Sequence, residues 1–190
     1  MEIILASKSP RRKELLGRLY TDFKIITREV DESLPDGVHP KEGVRILAVR
    51  KGEAVAKEHT GAMIISSDTL VEKDGIPLGK PTDREDAARM LRLLSGKTHN
   101  VHTGVAVHYK GRVYSGASTT EVSFRELSDG EIESYIDSGE PMDKAGAYGI
   151  QGLGGRFVSS YNGDYDTVVG LSLSLTEALV DKALSEDIND

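Results

Sequence analysis

The sequence predicts an α/β domain, an elongated mixed β-sheet flanked by helices. Short apolar runs alternate with stretches of helical period, as strand–helix units require. Three turn signals, Lys73-Asp74-Gly75, Lys110-Gly111 and Asn162-Gly163, add hairpins and hence antiparallel neighbours. With 190 residues, 38% of them hydrophobic and 29% charged, the chain is long enough to bury a core. No repeat, linker or low-complexity tract interrupts it, so one domain over residues 1–190 is expected.

Residues 2–6 read as a strand and 10–19 as a helix, with Ser9 as its N-cap and Pro10 at its first position. "FKIITREV" (23–30) reads as a second strand and "DESLPDGVHP" (31–40) as a loop. Residues 41–59 form a long helix with Val44, Leu47, Ala48 and Val55 on one face. "MIISSDTLV" (63–71) is strand-like with a polar middle, and Lys73-Asp74-Gly75 turns it back. "TDRE" (82–85) is a capping box that opens a helix ending at Ser95-Gly96. Runs 98–109 and 112–124 pair across Lys110-Gly111. "SDGE" (128–131) is a second capping box, with its helix stopping near Gly139. Residues 156–161 and 165–170 flank Asn162-Gly163 as a further hairpin, and 174–186 is a last helix.

The net charge is −7 and only 5% of residues are aromatic. That composition speaks against an extended nucleic-acid surface, which needs a broad basic face and stacking platforms. No apolar run reaches 18 residues and no signal-peptide pattern opens the chain, so neither membrane nor export is expected. With no cysteine, there is no disulfide, thiolate metal site or cysteine nucleophile. A cytoplasmic protein fits these features.

Several familiar sites fail on spacing. "GIPLGKPT" has Asp74 where a phosphate-binding loop needs glycine, and "GLGGRF" has Phe157 where a dinucleotide fingerprint needs one. His99 and His102 point to opposite strand faces, and His102 and His108 lie about 20 Å apart. "DYDTV" (164–168) mimics an aspartyl-phosphatase pattern but follows a tight turn instead of a strand.

Four placements admit a functional reading beside a structural one. Arg11, Arg12 and Lys13 crowd the first turn of a helix, where each cation is opposed by about 0.3–1 kcal/mol. An anion held by Ser7, Ser9 and an arginine would relieve that conflict, although surface pairing with Glu14 is an equal alternative. Lys51 falls on the apolar stripe of the long helix, either snorkelling to an edge or reaching a cleft. Asp68 interrupts an apolar strand, as a buried carboxylate beside a cation or as a cap. Glu32, in a loop, could supply a second carboxylate for a magnesium-assisted hydrolase but is weak by itself.

Taken together, "LASKSPRRKELL", "EVDES", "VRKGEAVA", "SSDTLV", "LGKPTDREDAARMLRLLSG", "GEPMDKAGAYGIQGLGG" and "VVGL" closely resemble the Maf family of nucleoside triphosphate pyrophosphatases. The resemblance covers almost the whole chain. It implies a fold shared with inosine-triphosphate pyrophosphatases, with a central cleft between two lobes. It further implies hydrolysis of a nucleoside triphosphate to the monophosphate and pyrophosphate, a divalent cation (Mg²⁺ or Mn²⁺), and a homodimer. The implied working residues are Ser7, Arg12, Glu32, Lys51, Asp68, Thr69, Lys80 and Gln151. Uninterrupted "SPRR", Thr69 directly after Asp68, and "IQG" resemble the dTTP/UTP branch more than the branch acting on 7-methyl-GTP. The Gln151 amide offers a donor and an acceptor, which suits the edge of uracil or thymine.

On this reading water attacks the α-phosphorus and pyrophosphate leaves. Asp68 is the base or orients the water, Glu32 and Asp68 hold the metal, and Lys51, Lys80 and Arg12 offset phosphate charge. Ser7, Arg12, Thr69 and Gln151 bind substrate. The resemblance also carries a different class of function: a nucleotide-responsive inhibitor of septum formation, acting through a cell-division partner.

Overall fold

The computed structural model describes residues 1–187; the last three positions of the expected domain lie outside the described residues. The elements run β1 (Ile3–Leu5), α1 (Pro10–Leu16), β2 (Lys24–Ile25), α2 (Pro40–Ala56), β3 (Met63–Lys73), β4 (Ile76–Leu78) and α3 (Arg84–Leu94). They continue β5 (Thr98–Tyr109), β6 (Arg112–Phe124), α4 (Asp129–Asp137), β7 (Val158–Asn162), α5 (Tyr165–Val169) and α6 (Leu173–Asp187). Three short 3₁₀ turns lie between α4 and β7. The strands make one mixed seven-stranded sheet in the order β2-β1-β3-β5-β6-β7, with β4 paired to β3. β1 is parallel to β2 and β3, while β4 and β7 are antiparallel to β3 and β6. The expected mixed α/β class is the one observed.

By its contacts the chain divides into two compact units. The first comprises Met1–Thr69, Thr103–Ser118 and the chain from Gly170; the second comprises Leu70–His102 and Thr119–Val169. Strands β3, β5 and β6 contribute residues to both.

In the first unit, Ile4, Ala6, Val55, Ala62 and Ile64 form an apolar cluster. Helix α2 lies against β3 and β5 with almost no clearance. A methyl group on Gly104 would come within 2.2 Å of the Val44 carbonyl oxygen, and one on Gly52 within 2.6 Å of Ser66 Oγ. The Ser66 hydroxyl in turn donates to the Ala48 carbonyl at 2.7 Å. This approach carries the neighbour of Gly52, Lys51, directly onto β3.

The second unit buries Val71, Leu91, Leu94, Val122, Phe124, Tyr135 and Phe157 in a larger cluster. Edge-to-face contacts link Phe124 with Tyr148 and Tyr135 with Phe157, at centroid separations of 4.7 and 5.0 Å. Such aromatic geometry adds roughly 0.5–1.5 kcal/mol per pair beyond area burial.

Several element boundaries differ from the sequence reading. The second strand shrinks to Lys24–Ile25, and both of its residues are exposed. The helix after "TDRE" is capped by Asp83, whose side chain accepts the Asp86 N–H; Thr82 is not the cap. The largest correction concerns Asn162-Gly163. Residues 158–162 do form a strand, but it pairs with β6, and residues 165–169 are helical. The Asp164 carboxylate explains the outcome: it accepts the Asp166 N–H at 3.0 Å and the Thr167 hydroxyl at 3.0 Å, a cap that starts a helix. The SDGE box and the Lys110-Gly111 turn form as expected, the latter with φ of 47° and 77°.

Candidate active site

The first helical turn has no acidic residue, and Ser9 caps it by accepting the Arg12 N–H at 3.4 Å. The charge conflict read from the sequence is therefore present. The Arg12 side chain makes three contacts. Its Nε donates to the Gly170 carbonyl at 2.8 Å, one Nη donates to Thr69 Oγ1 at 3.1 Å, and the other donates to Ser7 Oγ at 3.4 Å. Ser7 itself is buried and also accepts the Ser9 N–H. Burial pulls the Arg12 pKa below the usual arginine range, and the opposing attraction of Asp68 does not restore it. A guanidinium stays charged in a protein. The downward pull is the cost of desolvating that cation, which the attraction of Asp68 and Glu32 offsets in part and a bound anion would offset further.

Thr69 sits in the same network, with its hydroxyl 2.9 Å from that of Thr103. The hub is Gly170, which sequence reasoning did not single out. Its carbonyl accepts from Arg12 Nε and from the Ser67 hydroxyl at 2.9 Å. Its φ of +132° lies where side-chain-bearing residues are strained, so a glycine is required there. The signal was the Gly of "VVGL", a lone glycine before a helix and too common a pattern to act on.

The second cluster is ionic. Lys51 Nζ lies 2.5 Å from Asp68 Oδ1 and 2.8 Å from Glu32 Oε1, so one ammonium serves two carboxylates. Lys51 and Asp68 side chains are only 20% and 15% exposed, whereas Glu32 is 61% exposed. The snorkelling alternative for Lys51 is thereby replaced by a partly buried ion pair.

Arg50, next to Lys51, brackets Glu32 from the backbone. It donates to the Asp31 carbonyl at 3.1 Å and to the Ser33 carbonyl at 2.5 Å. The Asp31 carboxylate holds the Ser33 N–H at 2.8 Å, which closes the turn. Consecutive basic residues of α2 therefore fix both the loop and the carboxylate it bears. Arg50 too went unread, because two adjacent cations on a helix usually mean only a solvated face.

Asp68 and Thr69 are consecutive in β3, so the ionic and Arg12 clusters adjoin. Six of the eight residues read from the sequence, Ser7, Arg12, Glu32, Lys51, Asp68 and Thr69, fall in the first unit. Lys80 and Gln151 belong to the second, where both are exposed. Lys80 follows Gly79, whose carbonyl accepts the Gly146 N–H at 3.0 Å. Gln151 lies in a turn between Tyr148 and Leu153.

Among the described residues no three His, Cys, Asp or Glu side chains gather as a metal cage. Two carboxylates on one ammonium nevertheless suit a hard divalent cation of the Mg²⁺ kind. Such ions commonly take one or two carboxylates and complete their shell with phosphate oxygens and water.

The chain is 49% identical over 174 residues to a protein of Bacillus velezensis named dTTP/UTP pyrophosphatase, covering 92% of each chain. It is 51% identical over 173 residues to a protein of the same name from Thermococcus onnurineus, covering 91% of this chain and 93% of that one. Among solved structures it is similar to the Ham1 protein of Staphylococcus aureus, with a TM-score of 0.49 and 18% identity over 77% of this chain and 85% of that one, too distant a likeness to carry an argument. No helix among the described residues is long and apolar enough to cross a membrane. The family model for Maf-like proteins matches residues 2–183, which takes in every side chain described above, and the chain belongs to that family.

Proposed function

We propose that this protein hydrolyses dTTP and UTP to the nucleoside monophosphate and pyrophosphate. The observation that carries the reading is Lys51 held between Asp68 and Glu32, beside the Arg12 guanidinium that Ser7, Thr69 and Gly170 hold in place. A polyphosphate is the anion an arginine so placed can grip, and a pair of acids with a lysine supplies the groups that phosphoryl chemistry needs. The dTTP/UTP assignment draws on the two relatives of that name.

In this proposal Lys51 fixes Asp68 through Oδ1 and leaves Oδ2 to accept a proton from water. That water attacks the α-phosphorus. The bond from the α-phosphorus to the α,β-bridging oxygen breaks, and its electron pair leaves with pyrophosphate. Arg12, Lys51 and Lys80 offset the charge that builds on the phosphate oxygens. Glu32 and Asp68 would hold a Mg²⁺ or Mn²⁺ ion, which supplies charge neutralisation at the same oxygens when bound. Ser7 and Thr69, both hydrogen-bonded to Arg12, orient that guanidinium toward substrate, and Gln151 reads the base edge. The reading includes a homodimer working in the cytoplasm.

The test is a nucleotide panel with Mg²⁺, including 7-methyl-GTP and 5-methyl and pseudouridine triphosphates, assayed for pyrophosphate. Pyrophosphate from dTTP and UTP is the expected result. Orthophosphate as first product, faster turnover of 7-methyl-GTP, or tight binding without product would overturn it. The last outcome would favour a regulator acting through protein contact.

A further inference from the structure

Gln151 sits in a turn whose two ends are closed by one pair of side chains. Tyr135, fully buried on α4, accepts the Gly149 N–H at 3.1 Å and donates its own proton to Glu140 Oε1 at 2.8 Å. Glu140 then takes the other end. Its Oε1 accepts the Gly154 N–H at 3.1 Å and its Oε2 accepts the Leu153 N–H at 2.9 Å. Four hydrogen bonds thus connect residues 149, 153 and 154 through two side chains, with Gln151 at the exposed apex.

The turn is built to admit this buckle. A methyl group on Gly152 would lie 2.5 Å from the Glu140 carboxylate, and one on Gly154 would lie 2.6 Å from the Tyr135 hydroxyl. Lys144 adds a third strut: its Nζ donates to the Glu140 carbonyl at 2.8 Å, and its aliphatic stem covers Gly149. Although burial opposes the charge, the backbone N–H donors of Leu153 and Gly154, the Tyr135 hydroxyl and Lys144 hold the Glu140 carboxyl below its usual pKa. The buckle is therefore ionised at neutral pH, with each carboxylate oxygen engaged. A backbone turn of this length between glycines is otherwise loose, since glycine loses the most conformational freedom on ordering.

We propose that Tyr135 and Glu140 are positioning residues for base selection, fixing the turn so that the Gln151 amide meets the pyrimidine edge in one orientation. This rests on the reading of Gln151 given above. Neither residue touches substrate. Both act through the backbone that carries Gln151, so their loss weakens discrimination between bases more than it slows the chemistry.

The experiment compares kcat/KM for dTTP and dCTP in wild type, Tyr135→Phe, Glu140→Gln, Gln151→Ala and the Tyr135→Phe/Gln151→Ala double variant. Amide hydrogen exchange is followed at residues 149–154. Tyr135→Phe removes only the hydroxyl that joins Gly149 to Glu140, and Glu140→Gln replaces one of two acceptor oxygens with a donor. Each should lower the dTTP/dCTP ratio by about tenfold, the equivalent of one hydrogen bond to a charged group, mainly through KM. Exchange at 149–154 should quicken, while kcat for dTTP stays within about threefold, since no reacting atom is touched. In the double variant Tyr135→Phe should add nothing to the loss caused by Gln151→Ala.

If Gln151→Ala lowers the ratio and Tyr135→Phe leaves it unchanged, the positioning role is wrong and the base contact stands. If Gln151→Ala leaves the ratio unchanged, the reading of Gln151 itself fails. Should Glu140→Gln not fold, Tyr135→Phe with its exchange data decides the matter.

Discussion

In the first unit one cation, Lys51, is shared by two carboxylates, and a second, Arg12, is half-buried and hydrogen-bonded to neutral oxygens. In the second unit one carboxylate, Glu140, is surrounded by donors until both oxygens are used. On the proposed function, the difference separates machinery from scaffold. A satisfied buried network rigidifies a turn and has nothing left to offer a ligand. An under-satisfied one costs stability and keeps binding capacity in reserve. The ionic cluster is where chemistry is expected, and the buckle is where precision is expected.

The strongest way to break this contrast is to change the acids and cations of the first unit. Asp68→Asn keeps the shape and one oxygen for Lys51 but no longer accepts a proton from water. Steady-state assays should show kcat reduced by about 10²–10⁴, with an unchanged far-ultraviolet circular dichroism spectrum. Arg12→Lys follows. A lysine ammonium does not reproduce the planar fork that reaches Gly170, Thr69 and Ser7 at once, so KM for dTTP should rise by about 10- to 100-fold. Near-normal KM in that variant would show that the guanidinium geometry is not used.

His99 sharpens the contrast from the other side. It lies in the second unit's aromatic core, 2% exposed, with Nε2 2.8 Å from the Tyr148 hydroxyl and with no partner for Nδ1 among the described residues. Burial pushes its pKa down from 6.5 to about 4. The unfolded chain takes up the proton near pH 6.5 and the folded chain only near pH 4. The contribution is therefore complete above pH 6.5 and is lost as pH falls toward 4, an effect of about 3 kcal/mol. Urea unfolding at pH 4.5 and 7 should reveal this loss, and His99→Phe should shrink the pH dependence by that amount. An unchanged slope in the variant would mean that His99 is protonated in the folded core.

The smallest effect belongs to Arg50→Ala. Without Arg50, the turn carrying Glu32 keeps the Asp31–Ser33 closure and the Lys51–Glu32 ion pair but loses the two backbone bonds that Arg50 supplies from α2. Activity should fall by about fivefold, the scale of one or two exposed hydrogen bonds, with little change in thermal unfolding.

Much of this was legible in the sequence, for reasons that differ between residues. Lys51 and Asp68 stood out because a charge on an apolar stripe or in an apolar strand is locally inconsistent, and such conflicts mark functional sites. Arg12 stood out for the same reason against the helix dipole. Lengths and turns of β5 and β6 followed from alternation and one two-residue turn. Gly170, Arg50 and Glu140 break no local rule: each pairs a backbone group with a side chain distant in sequence, and that pairing is decided by tertiary contact. The misread Asn162-Gly163 turn has the same origin. Local chemistry announced a reversal, while β6 had already claimed the strand before it and Asp164 capped a helix after it.

The central claim is that the groups gathered at Lys51 direct water to the α-phosphorus. Hydrolysis of dTTP in ¹⁸O-labelled water, read by mass spectrometry of both products, tests it most directly. The label should enter dTMP, and pyrophosphate should carry none; label in pyrophosphate or in released orthophosphate would contradict the account.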